Sequence, residues 1–531
     1  MSDASKIIAG GESFLGIEFG STRIKAVLID AAGKPLAQGA YDWENDNIDG
    51  VWTYSLEDIE KGLAGSYSDL KRDVEEQYGV KLTKLKAMGV SAMMHGFLAF
   101  DKEDRLLTPF RTWRNNITEA EAAELSALFD YPVAQRWSIS HLLMDVKKGK
   151  EYLKDLDYFS TLAVYVHQRL TGRHVAGIGD ASGMFPVDTV KGCYLESALK
   201  KFNENYLGPY SWKMEDILPE ILFAGQPAGT LTEDGAKLLD PSGELEPGCL
   251  VCPPEGDAET GMVATNSVRP RTGNVSAGTS AFAMAVLEKP LSKAYSVLDL
   301  VTTPDGRLVA MAHSNNCTGN YDAWFGIFAE VLDAMGVKVK KGLLYDVLLN
   351  KALEADPDCG GVLSYGYISG EHITGFTEGR PLVCRHPEGN FNLANLVRSE
   401  LYTALSAMAT GMNLLFNEEG VTLDVINGHG GYFKTEKVGQ AMVAAAMNVP
   451  CKVLSTAGEG GAWGIALLAC YLFAGGKDLA DWLDDTIFKD SESNIVYPDQ
   501  KDVEGYKVFF KRYHEGLKIE KAAVESLSLE G

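Results

Sequence analysis

Leu15-Gly-Ile-Glu-Phe-Gly-Ser-Thr-Arg-Ile-Lys-Ala-Val-Leu28 and Gly273-Asn-Val-Ser-Ala-Gly-Thr-Ser-Ala-Phe-Ala-Met-Ala-Val286 carry one pattern twice. Each reads apolar run, glycine, two hydroxyl side chains, apolar run. Gly20 aligns with Gly278, Ser21 with Thr279 and Thr22 with Ser280. Each copy predicts a strand, a tight turn and a returning strand. A turn of this kind can aim backbone N–H groups and hydroxyls at one point, which suits a phosphate. Two unrelated hairpins built from common turn residues would look the same locally. The matched register, about half a chain apart, favours two similar domains facing each other across a nucleotide.

A length of 531 residues suggests two or three domains, and 46% apolar residues supply large cores. The net charge is −24 and the isoelectric point is near 4.9. No nucleic-acid partner is therefore expected, because such a surface needs basic patches. A small anion can still be held by backbone amides. No basic segment followed by an apolar one opens the chain, and no apolar run reaches about 18 residues. A cytoplasmic chain with no membrane partner is the expectation. Residues 1–11 read as a loose polar lead-in. Eight scattered cysteines fit a reducing compartment. Cys249-Leu-Val-Cys252 has metal or redox spacing. No second such pair or nearby histidine joins it, and the run ends at Pro253-Pro254, so these read as buried structural cysteines.

Residues 14–41 predict a β-meander, and Leu56, Ile59, Leu63, Tyr67, Leu70 and Val74 mark a helix over 56–78. A strand at 86–91 enters the loop Met93-Met-His-Gly96. Residues 118–129 predict a helix, 140–170 hold helical stretches, and 177–186 read as a small-residue loop around Asp180. After a Pro/Gly-rich break at 225–256, Asp257 stands where an N-cap belongs. The second meander begins at Gly273, with later strands near 297–301 and 308–312. Helices are expected at 320–336, 342–354, 392–418, 435–447 and about 503–525. Alternating strands and helices indicate α/β domains. The assignment is 12–265 for the first domain, 266–480 for the second and 481–531 for an extension ending in a helix.

Asn427-Gly-His-Gly-Gly-Tyr-Phe-Lys434 follows a strand and precedes a helix, a context fit for a nucleotide contact and equally for a plain structural turn. Gly458-Glu-Gly-Gly-Ala-Trp-Gly-Ile-Ala-Leu-Leu-Ala469 reads as a helix packing through small residues.

The chain resembles the FGGY family of carbohydrate kinases, with the actin-like (ribonuclease H-like) ATPase fold. Gly16-Ile-Glu-Phe-Gly-Ser-Thr22 is similar to the family's N-terminal phosphate motif, and Ser276-Ala-Gly-Thr-Ser280 to its second. Gly256-Asp-Ala-Glu-Thr-Gly261 resembles its Gly-Asp helix start. Gly430-Gly-Tyr-Phe-Lys434, Gln440 and Glu459-Gly-Gly-Ala-Trp-Gly464 resemble the adenosine signature. Ser91-Ala-Met-Met-His-Gly-Phe-Leu-Ala-Phe-Asp101 is similar to the sugar segment of xylulokinases and gluconokinases, and Asp180-Ala-Ser-Gly183 also has a counterpart. The resemblance spans roughly residues 14–470.

It implies two mixed sheets flanked by helices, an interdomain cleft, and phosphorylation of a sugar by ATP with Mg²⁺. Asp257 becomes the base, a carboxylate that a helix end keeps ionised. Met94, His95, Trp113, Asp180 and Asp257 become sugar contacts. Gly20, Ser21, Thr22, Gly278, Thr279, Gly430, Gly431 and Lys434 become ATP contacts, and Glu18 and Asp257 metal contacts. A ketopentose such as xylulose is the first substrate reading, with gluconate or a polyol as alternatives. A non-catalytic ATP- or sugar-binding sensor is the alternative of another class. The sequence departs from the family pattern in three places. Glu18 replaces an aspartate, keeping the charge and adding one methylene. Arg111-Thr-Trp-Arg-Asn-Asn116 lacks the usual acid. Ser369-Gly-Glu-His372 lacks the usual arginine after the glutamate. The oligomeric state stays open, a homodimer being one option.

Overall fold

The first repeated stretch folds as β1 (Phe14–Phe19) and β2 (Arg23–Ile29), antiparallel, with Phe14 opposite Ile29 and Phe19 opposite Ile24. The computed structural model describes residues 2–456 and 460–527. β3 (Pro35–Asp42) continues the meander, and β4 (Ala87–Ala92) lies parallel to β1. Every residue of β4 is buried, as a strand covered on both faces requires. β5 (Gly229–Thr230) and β6 (Leu250–Val251) complete the order β5-β6-β4-β1-β2-β3, with β6 parallel to β4 and β5 antiparallel to β6.

The second stretch repeats this plan. β7 (Thr272–Ala277) and β8 (Ala281–Val286) form its hairpin, β9 (Leu308–Ser314) follows β8, and β10 (Val425–His429) runs parallel to β7. β11 (Cys451–Leu454) is parallel to β10, and β12 (Ser493–Val496) antiparallel to β11. Read from the opposite end, six strands of this sheet, β9-β8-β7-β10-β11-β12, follow the order of the first sheet. Each sheet is mixed. In each, the first hairpin strand gains a parallel neighbour on its far side.

Contacts divide the chain into two units. One holds Met1–Val268, Lys293–Val309 and Glu459–Asp490; the other holds Arg269–Ser292, Ala310–Gly458 and Ser491–Gly531. The chain thus enters the first unit again after most of the second is built, instead of passing from one to the other once near residue 266.

In the first unit, α1 (Leu56–Tyr78) starts at Ser55, whose hydroxyl accepts the Asp58 N–H, and stops at Gly79 with φ 62°. Its apolar stripe is buried against β3, where a Cβ on Gly39 would lie 2.3 Å from Leu70 N. α2 (Asp257–Ala264) follows the short strand Glu255–Gly256. In the second unit, α3 (Leu393–Asn417) is buried along most of its length, capped by Asn392. α4 (Gly460–Tyr471) returns to the first unit, and α5 (Gln500–Ser526) belongs to the second. A Cβ on Gly16 would stand 2.0 Å from the Ala462 carbonyl oxygen, and one on Gly464 2.1 Å from that of Thr260. α4 therefore lies against β1 and α2 at backbone distance, as its small residues predict.

Four local expectations change. Residues 3–9 form a helix capped by Ser2, with Ile8 fully buried in the core, so this segment is not loose. The stretch around Asp180 is the short helix Ile178–Ser182, not a loop. The helix expected from 435 begins at Val438, behind Lys437 with φ 66°. Gly256 is the N-cap of α2 and Asp257 its first residue, because Gly256 takes the extended conformation that a cap needs. Gly458 and Glu459 lie outside the described residues.

Gly16→Ala should lower the melting temperature by several degrees, since overpacking at a backbone contact costs about 1–3 kcal/mol. Gly208→Ala, where a Cβ meets nothing within 4 Å, should leave it unchanged. Thermal melts of the two variants against the parent check this.

Candidate functional site

The turn Gly20-Ser21-Thr22 joins β1 to β2, and aromatic side chains hold its backbone from behind. Trp43 Nε1 donates to the Gly20 carbonyl at 2.7 Å, Tyr54 Oη to the Ser21 carbonyl at 2.6 Å, and Trp43 N to the Thr22 carbonyl at 3.2 Å. The Trp43 and Tyr54 rings stack with centroids 4.0 Å apart. Trp113 Nε1 donates to Ser21 Oγ at 3.2 Å, so this indole is tied to the turn. With three carbonyls engaged on one side, the turn has a defined orientation before any anion arrives.

Four of the five proposed sugar-side residues, and Glu18, converge beyond this turn. β1 carries Glu18, opposite Lys25 on β2 and beside Ser91 on β4. The Glu18 carboxyl reaches the first turn of α4, accepting the Ala462 N–H at 3.2 Å. Burial raises its pKa, while the Lys25 charge and the Ala462 and Gly461 amides pull the other way. Asp257 is half-buried, and its Oδ1 accepts the Met94 N–H at 3.2 Å. Its pKa is raised to about 6, first by burial and then by the Glu18 charge. The helix-start amides lower it but do not prevail, so Asp257 is not held firmly ionised as a simple helix-end carboxylate would be. A base poised there is better matched to neutral pH than an ordinary aspartate.

His95 has φ 67° and is buried, with Nδ1 at 3.2 Å from the Gly183 carbonyl oxygen. A carbonyl only accepts, so Nδ1 carries the proton. Burial and the Arg136 charge push the His95 pKa down to about 3, which keeps the ring neutral with Nε2 as an acceptor. Asp180 is buried on its short helix. Thr161 Oγ1 donates to its Oδ2, and its Oδ1 meets no partner among the described residues. Burial lifts the Asp180 pKa to about 7.

Two acids escaped the sequence reading. Glu255 is 1% exposed and Glu259 0%, and burial raises both pKa values far above the usual range. Their sequence signal is an acidic residue two positions on either side of Asp257, facing the glycines of Gly177-Ile-Gly179. Two arginines of the neighbourhood are engaged. Arg111 pairs with Asp145 at 2.7 Å with both side chains buried, supplying an acid that the segment 111–116 itself lacks, and Arg136 pairs with Asp299. Asn115 is spent on the backbone of Trp52.

In the second unit, Gly278-Thr279-Ser280 turns β7 into β8, and a Cβ on Gly278 would meet open space. Cys317 N donates to the Thr279 carbonyl at 2.9 Å and Thr318 N to the Gly278 carbonyl at 3.0 Å, docking the start of helix Gly319–Ala334 onto the turn. Gly430 has φ 97°, and a Cβ there would lie 2.4 Å from the Ala277 carbonyl oxygen. That close approach brings Gly430 and Gly431 beside the turn. Lys434 is exposed at the end of the same segment, Gln440 is buried, and Trp324 hydrogen-bonds buried Glu400. Among the described residues, no group of three or more His, Cys, Asp or Glu side chains is arranged to hold a metal ion. Nor is any helix among them long and apolar enough to cross a membrane. Cys249 and Cys252 are free and buried.

Glu18→Asp should shorten the reach to α4 and lower the melting temperature by a few degrees, for about 1 kcal/mol of lost capping. Glu18→Gln, which keeps the reach, should lose less, and melts of both variants measure the difference. Glu400 offers a pH test. Burial raises its pKa to about 7, from an unfolded value near 4.5. The folded state therefore holds its proton more tightly, a contribution complete below pH 4.5 and lost as pH rises through 7. Glu400→Gln should raise the melting temperature relative to the parent at pH 8 and change it little at pH 5.

Comparisons with known proteins bear on the family and the fold. Residues 13–241 match the FGGY family of carbohydrate kinases, N-terminal domain, and residues 273–473 match its C-terminal domain. A xylulose kinase of Haemophilus influenzae is 22% identical over 517 residues, covering 94% of this chain and 98% of that one. The ligand-bound xylulose kinase of Lactobacillus acidophilus superposes with TM-score 0.78 at 17% identity, over 97% of this chain and 99% of that one. The gluconate kinase of Lactobacillus acidophilus does so with TM-score 0.77 at 17% identity, over 97% and 98%. At such identities the structures speak for the fold, two mixed-sheet domains flanked by helices in the actin-like ATPase class. The family profiles together cover most of the sequence, and the chain belongs to the FGGY family of carbohydrate kinases.

Proposed function

We propose that this kinase transfers the γ-phosphoryl group of ATP in line to a hydroxyl of a neutral sugar or polyol, with a ketopentose such as xylulose as the first substrate. The observation that carries this reading is the Asp257 carboxyl, half-buried, oriented by the Met94 N–H and poised near pH 6. In this role Asp257 orients the attacking hydroxyl and takes its proton as the bond to phosphorus forms. His95 Nε2 accepts a hydrogen bond from one sugar hydroxyl, and the open Asp180 Oδ1 binds another hydroxyl. Met94 fixes Asp257 through its amide, and Trp113 walls the pocket while holding Ser21. Gly20, Ser21 and Thr22 in the first unit serve phosphate, as do Gly278 and Thr279 in the second. Gly430, Gly431 and Lys434 serve the rest of the nucleotide.

A pair of carboxyls in which the Glu18 charge raises the cost of ionising Asp257 suits one Mg²⁺ brought with ATP, because Mg²⁺ binds through one or two carboxylates, phosphates and water. Glu18, through water, and Asp257 are the residues to hold it. Its contribution would be neutralising the phosphate charge. Xylulose kinases among the relatives support a ketose, and a gluconate kinase among the structural neighbours keeps an aldonate as the alternative. Charge favours the neutral substrate. Asp180, Glu255, Asp257 and Glu259 crowd one region, and the nearby Arg111 and Arg136 are each paired with a carboxylate.

A coupled ADP-release assay over pentuloses, polyols and aldonates should give its highest kcat/KM with a neutral ketose. Preference for gluconate would overturn the substrate assignment, and binding of ATP and sugar without ADP release would replace the kinase by a sensor. Asp257→Asn should cut turnover by roughly 10²-fold or more with ATP affinity nearly intact, the loss expected for a positioned base. Retained turnover would reduce Asp257 to a helix-start residue.

A further inference from the structure

Glu255 occupies a place that the surrounding backbone is built to receive. It lies on the short strand Glu255–Gly256, parallel to β4, opposite Ser91. Its Oε2 accepts the Asp180 N–H at 2.9 Å, and the Gly179 N–H also donates to this carboxyl. Gly177 N donates to the neighbouring Pro254 carbonyl at 2.8 Å. A Cβ on Gly177 would stand 2.2 Å from Glu255 Oε1, and one on Gly179 2.4 Å from Glu255 Oε2. Neither glycine has a positive φ. Space for this carboxyl, and at Gly179 also for Glu259 Cγ at 2.4 Å, is what their missing side chains provide, not relief of backbone strain.

The connection along the chain is short. Glu255 is two residues before Asp257, with Gly256 between them at the start of α2. On the other side, the amides it holds belong to the residue carrying the Asp180 carboxyl and to the one before it. Asp180 is fixed at its other end by Thr161, the N-cap of helix Leu162–Thr171. Its free Oδ1 depends for its position on these two anchors, and only the Glu255 anchor is linked directly to Asp257.

We propose that Glu255 is a positioning residue for the acceptor, clamping the Asp180 backbone at a set distance from Asp257 so that both carboxyls meet the same sugar. This rests on the reading of Asp257 as the base and Asp180 as a sugar contact. The clamp needs an acceptor oxygen at the reach of a glutamate side chain. Glu255→Gln preserves that oxygen, and Glu255→Ala removes it. Gly179→Ala leaves the carboxyl in the chain but forces it away.

The experiment measures KM for sugar, KM for ATP and kcat of the full-length protein, using whichever sugar of the panel the parent phosphorylates. Thermal melts with ATP present confirm that each variant is folded. Glu255→Ala and Gly179→Ala should each raise the sugar KM by about tenfold or more, the effect of leaving a buried amide without its hydrogen-bond acceptor. ATP KM should stay within about twofold, and Glu255→Gln should restore sugar KM to within about threefold. Should Glu255→Ala fail to fold, Gly179→Ala and Glu255→Gln decide the matter. Unchanged sugar KM in Gly179→Ala, equal losses in sugar and ATP KM, or a Gln variant no better than the other two would overturn the clamp. A parent protein that phosphorylates no sugar of the panel would instead refute the function on which it rests.

Discussion

The contact of α4 with β1 and α2 is the constraint on which the first unit depends. It is made by backbone on backbone, because Gly16 and Gly464 present no side chain where Ala462 and Thr260 approach. Dispersion falls steeply with distance, so a contact this close gains from each atom pair but tolerates no added atom. It also fixes the chemistry above it. The first turn of α4 meets the Glu18 carboxyl, α2 begins with Asp257, and β1 leads into the Gly20 turn. A helix supplied from residues 460–471 thereby ties the carboxyl site to the phosphate turn. The second unit has similar approaches, Gly430 against Ala277 and Gly379 against Tyr367 among them.

The first unit concentrates carboxyl groups in its interior. Glu18, Asp180, Glu255, Asp257 and Glu259 all carry raised pKa values, and burial is the largest cause for each. Such an arrangement lowers stability and persists where it serves a function. Backbone amides offset part of the cost at Glu18, Asp257 and Glu255. At Glu259 both oxygens lack a partner among the described residues, which leaves protonation as the means by which the folded chain accommodates it.

Much of the fold was legible in the sequence because it rests on local patterns. The repeated strand–turn–strand unit, the stripe of α1 and the small-residue face of α4 each depend on spacing within one segment, whereas the sheet order, with β4 and β10 parallel to the first strand of each hairpin, rests on pairings far apart in the chain. The helix Asp3–Ala9 was missed because its only strong signal, Ile7-Ile8, gains meaning from a core it meets after folding. The order of burial and charge at Asp257 was read the wrong way for a similar reason. The helix start is visible in Gly256-Asp257, whereas the neighbouring Glu18 and the buried surroundings arrive from β1 and from the packing of α4. Asp145 as the partner of Arg111 came from a separate helix, and no spacing within residues 111–116 could reveal it. Glu255 and Glu259 were visible as letters but silent as a site until Gly177 and Gly179 were brought against them.

His95 holds a left-handed backbone conformation between β4 and the bridge that joins Phe97 to Arg111. Glycine, asparagine, aspartate and histidine enter that region at small cost, while β-branched and bulky residues do so with strain. The backbone therefore restricts which side chains can stand at position 95 before any ligand is considered. Variation there is confined to a short menu of small or polar groups. New acceptor preferences in close homologues should accordingly arise at the helically placed Asp180, or at Met93 and Met94 where φ is not positive, sooner than at the histidine itself.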